Sequence, residues 1–121
     1  MGECARERLV MDLAIECLRK SGKLRFRVQG TSMMPTIRPG SSVTVRRVEP
    51  GLIQTGDIIL IATAAGLRLH RVIANVPQLI TRGDNHAHDD PPVGAEQVLG
   101  KLDRIEPEPW RFAHILRRAF A

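Results

Sequence analysis

Residues 58–73 read IILIATAAGLRLHRVI, and this stretch decides the expected fold class. Its first five residues form a short, continuous apolar run, which is typical of a buried strand. The small residues at 64–66 indicate a turn, which leads into a second apolar stretch at 67–73. We therefore expect two consecutive strands joined by a tight turn.

Strand patterns recur on both sides of this stretch. Apolar residues alternate with basic or polar ones from residue 23 to residue 29, which is the period of a half-buried strand. Gly- and Pro-containing turns separate the remaining apolar segments. Short strands bounded by turns favour an all-β barrel or a coiled sheet. The further strands are expected near residues 43–45, 79–81 and 98–102.

Both ends of the chain have helical spacing instead. Residues 3–20 place apolar side chains on one face of an amphipathic helix, and residues 110–120 repeat this spacing with a basic face. The first helix suits either packing on the domain or docking on a partner, and we favour packing. The predicted organisation is a helix at 1–22, a catalytic β domain at 23–105 and a helical tail at 106–121.

The composition narrows the function classes. A length of 121 residues suits one domain, and the net charge is +5. Aromatic residues are only 3% of the chain, with no tyrosine, so a base-stacking platform is disfavoured and no nucleic-acid partner is expected. No apolar run approaches the roughly 20 residues of a membrane span. We expect a cytoplasmic protein, with peripheral membrane contact left open because the terminal helices are basic and amphipathic.

Ser32 stands in an unusual loop. Residues 29–40 read QGTSMMPTIRPG, so the serine lies between a glycine turn and two methionines. Met33 and Met34 are poorly suited to a solvent loop, but they suit the edge of an apolar groove. We therefore expect the hydroxyl at the rim of such a groove.

A serine nucleophile needs a base to take its proton, and a third group commonly orients that base. His70 is the candidate base. The residue types alone are weak support, because most domains contain all three. The candidate carboxylates are Asp84, Asp89 and Asp90.

Four short boxes make the local context specific. They are GTSMMPT (30–36), GDI (56–58), HRV (70–72) and RGDN (82–85), and the last is followed by Asp89-Asp90. With these boxes in this order, the chain is similar to signal peptidase I and its relatives, a family that includes the self-cleaving SOS-type repressors. Bacterial housekeeping members carry a lysine where His70 stands, so the chain resembles the archaeal, sporulation-associated and endoplasmic-reticulum signal peptidases. Those members use a Ser-His-Asp arrangement. The likeness covers about residues 24–102.

The resemblance implies a role for each matched residue. Ser32 would be the nucleophile of a serine endopeptidase, and its backbone N–H would help to stabilise the oxyanion. His70 would be the general base and Asp90 the group that orients it. Asp84 would be a second carboxylate that supports the site.

The resemblance also implies the fold and the substrate class. We expect a mainly β, coiled, barrel-like fold of the signal-peptidase and repressor type. Met33 and Met34 would line shallow pockets for a peptide or precursor protein bound in extended form. No cofactor is expected.

Three alternatives stay open. A domain of this fold can be a catalytically silent peptide-binding module. A repressor-type domain would cleave its own linker, but the expected single N-terminal helix offers no DNA-binding helix pair. His86 and His88, with the neighbouring carboxylates, could bind zinc. Pro91 stands where the related metal box of metallo-β-lactamase-type hydrolases has its last histidine, so we expect both histidines on an exposed loop and no metal site.

Overall fold

The computed structural model describes residues 2–106, and within them the chain is mainly β, as predicted. One helix precedes six strands, and short 3-10 turns lie at Pro50–Leu52 and Ala95–Gln97. The predicted C-terminal helix falls outside the described residues. The elements are α1 (Gly2–Ser21), β1 (Lys23–Arg27), β2 (Ser42–Arg46), β3 (Ile58–Thr63), β4 (Gly66–Ala74), β5 (Ile80–Arg82) and β6 (Val98–Glu106).

The six strands form one antiparallel sheet in the order β1-β2-β6-β3-β4-β5. The last strand in sequence, β6, lies in the middle and joins the β1–β2 hairpin to the β3–β4–β5 meander. Register shifts interrupt the β2–β6, β3–β6 and β4–β5 ladders. Such irregularities bend and twist strands, which coils the sheet.

The sheet is open, so of the two expected forms, a barrel or a coiled sheet, the chain has the coiled sheet. Within residues 2–106, β1 and β5 are the two edges and do not pair with each other. β5 has only three residues, so it offers few backbone groups for a closing ladder. Glu106, assigned to the tail from the sequence, is the last residue of β6.

The continuous apolar run at the start of β3 is explained by burial on both faces. The first four residues of β3 are all buried. Ile59 and Ile61 pack in one cluster with Val72 of β4, whereas Leu60 packs in another with Val45 of β2. This ladder carries the site, because His70 of β4 pairs with Ile59.

Helix α1 packs on the domain through its C-terminal half, as favoured from the sequence. Leu18 is 2% exposed and belongs to the cluster of Val45 and Leu60. Arg47 ties the helix end down by donating from its guanidinium to the carbonyl of Arg19 at 2.9 Å. Leu13, by contrast, is 61% exposed. Among residues 2–106, no helix is both long and apolar enough to cross a bilayer.

The buried β3 ladder makes a stability prediction. Ile61 is completely buried, so Ile61→Ala should lower the free energy of unfolding by about 2–5 kcal/mol, because it removes buried methyl groups and leaves a cavity. Leu52→Ala is the control, because Leu52 is 68% exposed and its loss should change stability by only about 0.5 kcal/mol. Urea denaturation measures both. Equal losses in the two variants would contradict this packing.

Candidate active site

The serine loop is anchored by apolar side chains beneath it. Gly30 has a φ of 82°, a left-handed conformation that favours glycine, and it turns the chain away from β1. Met33 is only 2% exposed and packs with Ile37 and Val43 in the core, and the N–H of Ile37 donates to the Met33 carbonyl at 2.9 Å. The buried side chains thus hold a tight turn that leaves Ser32 half-buried at the surface.

His70 is paired with Asp90 in a nearly buried site. The His70 Nδ1 atom lies 2.5 Å from Asp90 Oδ2, and their side chains are 6% and 12% exposed. Thr81 holds Asp90 twice: its hydroxyl donates to Oδ2 at 2.8 Å, and its carbonyl accepts the Asp90 N–H at 2.8 Å. The carboxylate is therefore fixed in position before any ligand binds.

The hydrogen bonds keep Asp90 ionised. Burial, the largest single influence, raises the pKa of its carboxyl. Hydrogen bonds from His70 and Thr81, together with nearby positive charge, lower it, and the net pKa is lowered. Arg68, whose guanidinium lies 4.0 Å from Asp90 Oδ2, adds to this effect. An ionised Asp90 accepts a hydrogen bond from the Nδ1–H group, so the Nε2 atom of a neutral His70 carries the free lone pair.

Ser32 and His70 both border Gly83. A Cβ atom built on Gly83 would lie 2.6 Å from the Ser32 carbonyl oxygen and 3.1 Å from His70 Nε2. The N–H of Asn85 donates to the same Ser32 carbonyl at 2.9 Å, which ties the serine loop to the loop after β5. Within residues 2–106, no hydrogen bond joins Ser32 Oγ to His70. Catalytic hydrogen bonds are often long without substrate and tighten when it binds.

Asp84 lies nearby but does not contact the imidazole by hydrogen bonding. Both its oxygens accept from the Arg71 guanidinium at 2.8 Å, and the Thr36 hydroxyl donates to Oδ2 at 2.5 Å. The Arg71 hydrogen bonds hold the pKa of Asp84 below its usual value against the opposing effect of burial, with help from Thr36. Asp84 therefore joins the serine loop to β4, whereas Asp90 orients His70.

A cavity of about 1070 Å³ opens at Ser32 and His70. Its walls are mainly apolar side chains of α1, β1 and β4. Met33 contributes to the wall despite its burial, but Met34 is half-buried and lies outside the lining. A second cavity of about 670 Å³, near Pro50 and Pro77, contains none of the predicted site residues.

Sequence reasoning missed several residues that support the site. Thr81 is completely buried. In the sequence, the available signal was a threonine within the strand expected at 79–81, because a hydroxyl that is buried in a sheet needs a hydrogen-bond acceptor nearby. Arg71 and Thr36 were inside the quoted boxes but carried no assigned role. Gly83 was also inside a quoted box without an assigned role, although its missing side chain lets the Ser32 carbonyl and His70 Nε2 approach the same position.

Asp84 should make stability depend on pH. Its folded-state pKa is depressed below the unfolded value near 3.9, so its contribution is present above about pH 4 and is lost as the pH falls through the folded-state pKa. Asp84→Asn should therefore cost about 1–3 kcal/mol of unfolding free energy near neutral pH. The difference from wild type should shrink toward about pH 3.

Urea denaturation at several pH values measures this difference. The control is Asp103→Asn, which removes an exposed ion pair with Arg46 and should cost about 0–1 kcal/mol. A stability loss in Asp84→Asn that stays constant down to about pH 3 would contradict the Asp84–Arg71 assignment.

The comparisons with known proteins agree with this geometry at the level of the family. No curated protein matches the chain significantly. The sequence model of the Peptidase S24-like family matches residues 3–102, which include nearly all of α1, the serine loop, the paired histidine and the first half of β6. The chain belongs to the Peptidase S24-like family.

Proposed function

We propose that the protein is a serine endopeptidase that cleaves an extended segment of a peptide or precursor protein, with Ser32 as nucleophile and His70 as general base. The observation that carries the proposal is the buried Asp90–His70 pair, whose free Nε2 faces the space above Gly83 that Ser32 also borders. Membership of a peptidase family supports the reaction class.

The chemistry proceeds by acyl transfer. Nε2 of His70 takes the hydroxyl proton as Ser32 Oγ attacks the scissile carbonyl carbon. The C–N bond then breaks, the imidazolium gives its proton to the leaving amine, and an ester remains on Ser32. Water, deprotonated by His70, hydrolyses this ester to free the carboxylate and restore the serine. Asp90 accepts the hydrogen bond from the Nδ1–H group of His70 throughout and stabilises the imidazolium.

The oxyanion of each tetrahedral intermediate needs a hydrogen-bond donor. In the part of the chain that the structure describes, the backbone N–H of Ser32 makes no hydrogen bond, so it is free for this role. Removing one such donor from an acyl-transfer site typically costs on the order of 100-fold in rate or more.

The surroundings suit an extended apolar substrate. The cavity wall is formed largely by side chains such as Val28, Leu67 and Leu69, and it continues to the half-buried Ser32. β1 is an edge strand of the sheet and also lines the cavity, so its outer backbone groups can pair with a substrate main chain. The histidine base further suggests the Ser-His-Asp type of signal-peptidase relative.

A silent binding module is the second candidate function. It is favoured by one observation: within residues 2–106 the Ser32 hydroxyl and the imidazole are not hydrogen-bonded. Both functions predict binding of an apolar peptide, but only the peptidase predicts an activated serine. A chain that cleaves itself, like the repressor-type relatives, would lose mass on incubation of the purified protein.

A fluorophosphonate probe distinguishes the two functions. It should label the wild-type protein at Ser32, as mapped by mass spectrometry, because His70 can take the hydroxyl proton. Ser32→Ala and His70→Ala should abolish labelling while circular dichroism stays unchanged. Ser42→Ala, a half-buried serine at the start of β2, should be labelled like wild type. An unlabelled wild-type protein that still binds peptide would favour the silent module.

Gly83 provides a second test of the geometry. A Cβ at this position would lie 2.6 Å from the Ser32 carbonyl, a backbone atom, so Gly83→Ala must push the serine loop away from His70. A misplacement of about 1 Å can cost on the order of 100-fold in rate, and we expect such a loss in the rate of probe labelling. Gly51→Ala is the control, since a Cβ there meets nothing within 4 Å. A Gly83→Ala variant labelled at the wild-type rate would contradict this arrangement.

A further inference from the structure

His86 lies next to the imidazole of His70 and has no role in the proposed mechanism. The two rings lie edge to face, with centroids 5.3 Å apart and an angle of 87° between their planes. His86 follows the loop that ties Ser32 down, and its own N–H donates to the Gly83 carbonyl at 2.9 Å. Its side chain is exposed, so the ring can turn without disturbing the core.

One nitrogen of each ring approaches Gly83, which has no side chain to separate the two rings. The position of a Cβ on that glycine would lie 3.0 Å from His86 Nδ1 and 3.1 Å from His70 Nε2. One candidate ligand atom from each of His70, His86 and Asp90 lies within 4.8 Å of the others. Zinc binds histidine nitrogen at about 2.0–2.1 Å, so a modest rotation of His86 brings both nitrogens to a shared ion.

Asp90 supports this arrangement by hydrogen bonding to the other ring nitrogen of His70. Metal-bound histidines almost always donate their other N–H to a carboxylate or carbonyl, which fixes the ring and raises the basicity of the ligand nitrogen. His70 already has this partner, because its Nδ1 is 2.5 Å from Asp90 Oδ2. The contact that prepares Nε2 to take a proton from Ser32 also prepares it to bind a metal.

We infer that His70 and His86 form a binding site for a divalent transition-metal ion such as Zn²⁺, and that the bound ion inhibits the peptidase. The inhibition rests on the proposed function, but the binding does not. His70 Nε2 has one lone pair, which cannot hold the ion and accept the serine proton together. The ion is therefore a reversible inhibitor and not a cofactor. This set differs from the cluster considered in the sequence, because His88 and Asp89 are not part of it.

The surrounding charges limit the affinity. Arg6, Arg27 and Arg68 line the same cavity, and their positive charges oppose a bound cation. Arg68 is partly compensated, since it lies 4.0 Å from Asp90. With two imidazole ligands and water in the remaining positions, we expect a Kd in the micromolar range.

Calorimetry with zinc chloride tests the binding directly. The full chain, without a histidine tag, should bind one Zn²⁺ at this site. His86→Ala should weaken that binding by about 10-fold or more, because it removes a ligand. The matched control is His88→Ala, an exposed histidine two residues along the same loop, which should bind like wild type. Cysteine thiols contribute the same background in both variants. Equal zinc binding by the two variants would overturn the site.

Probe labelling then tests the inhibition. Zn²⁺ should slow fluorophosphonate labelling of the wild type and of His88→Ala, each compared with its own metal-free rate, and should have little effect on His86→Ala. If calorimetry shows zinc binding but the metal-free protein is not labelled by the probe, the metal site is supported and the proposed peptidase function is rejected. Labelling without zinc binding would remove this inference alone. Zinc binding that leaves wild-type labelling unchanged would overturn the inhibition.

Discussion

The site depends on the hydrogen bond between His70 and Asp90, whose side chains are both nearly buried. An isolated carboxylate would be costly there, because burial removes its hydration. Thr81 offsets this cost with its hydroxyl and anchors the backbone of Asp90 with its carbonyl. The result is an imidazole with one defined orientation and one defined tautomer. Each function considered for His70, whether it takes a proton or binds a metal, uses the nitrogen that this bond leaves free.

Two carboxylates six residues apart have different roles because their partners differ. Asp84 faces the guanidinium of Arg71, so its charge is neutralised by a permanent cation and its contribution is structural. Asp90 instead faces the imidazole of His70, whose second nitrogen is left free for chemistry. Asp90 therefore orients a reactive group, whereas Asp84 joins the serine loop to β4.

The strand pattern was predictable from local signals. The run at 58–62 and the alternation at 23–29 each produced a strand at the expected place. The open sheet was not predictable, because closure depends on whether the edge strands β1 and β5 meet. The depth of Met33 was not predictable either. Met33 lines the cavity, but it is also buried, because it packs with Ile37 and Val43 of the core.

The sequence by itself determined the broad family and the positions of most strands, and it singled out Ser32 and His70 as the residues proposed here as nucleophile and base. Each of these features lies in a short contiguous stretch that can be recognised without coordinates. The tertiary structure alone decided which aspartate orients His70, since Asp84 and Asp90 are both close in sequence to the end of β5. It also decided that Gly83 must lack a side chain and that His86, not His88, approaches the base. These are questions of direction and distance between side chains from different loops. Such relations are set by the coiling of the sheet and by the Thr81 and Asn85 hydrogen bonds, which no local pattern encodes.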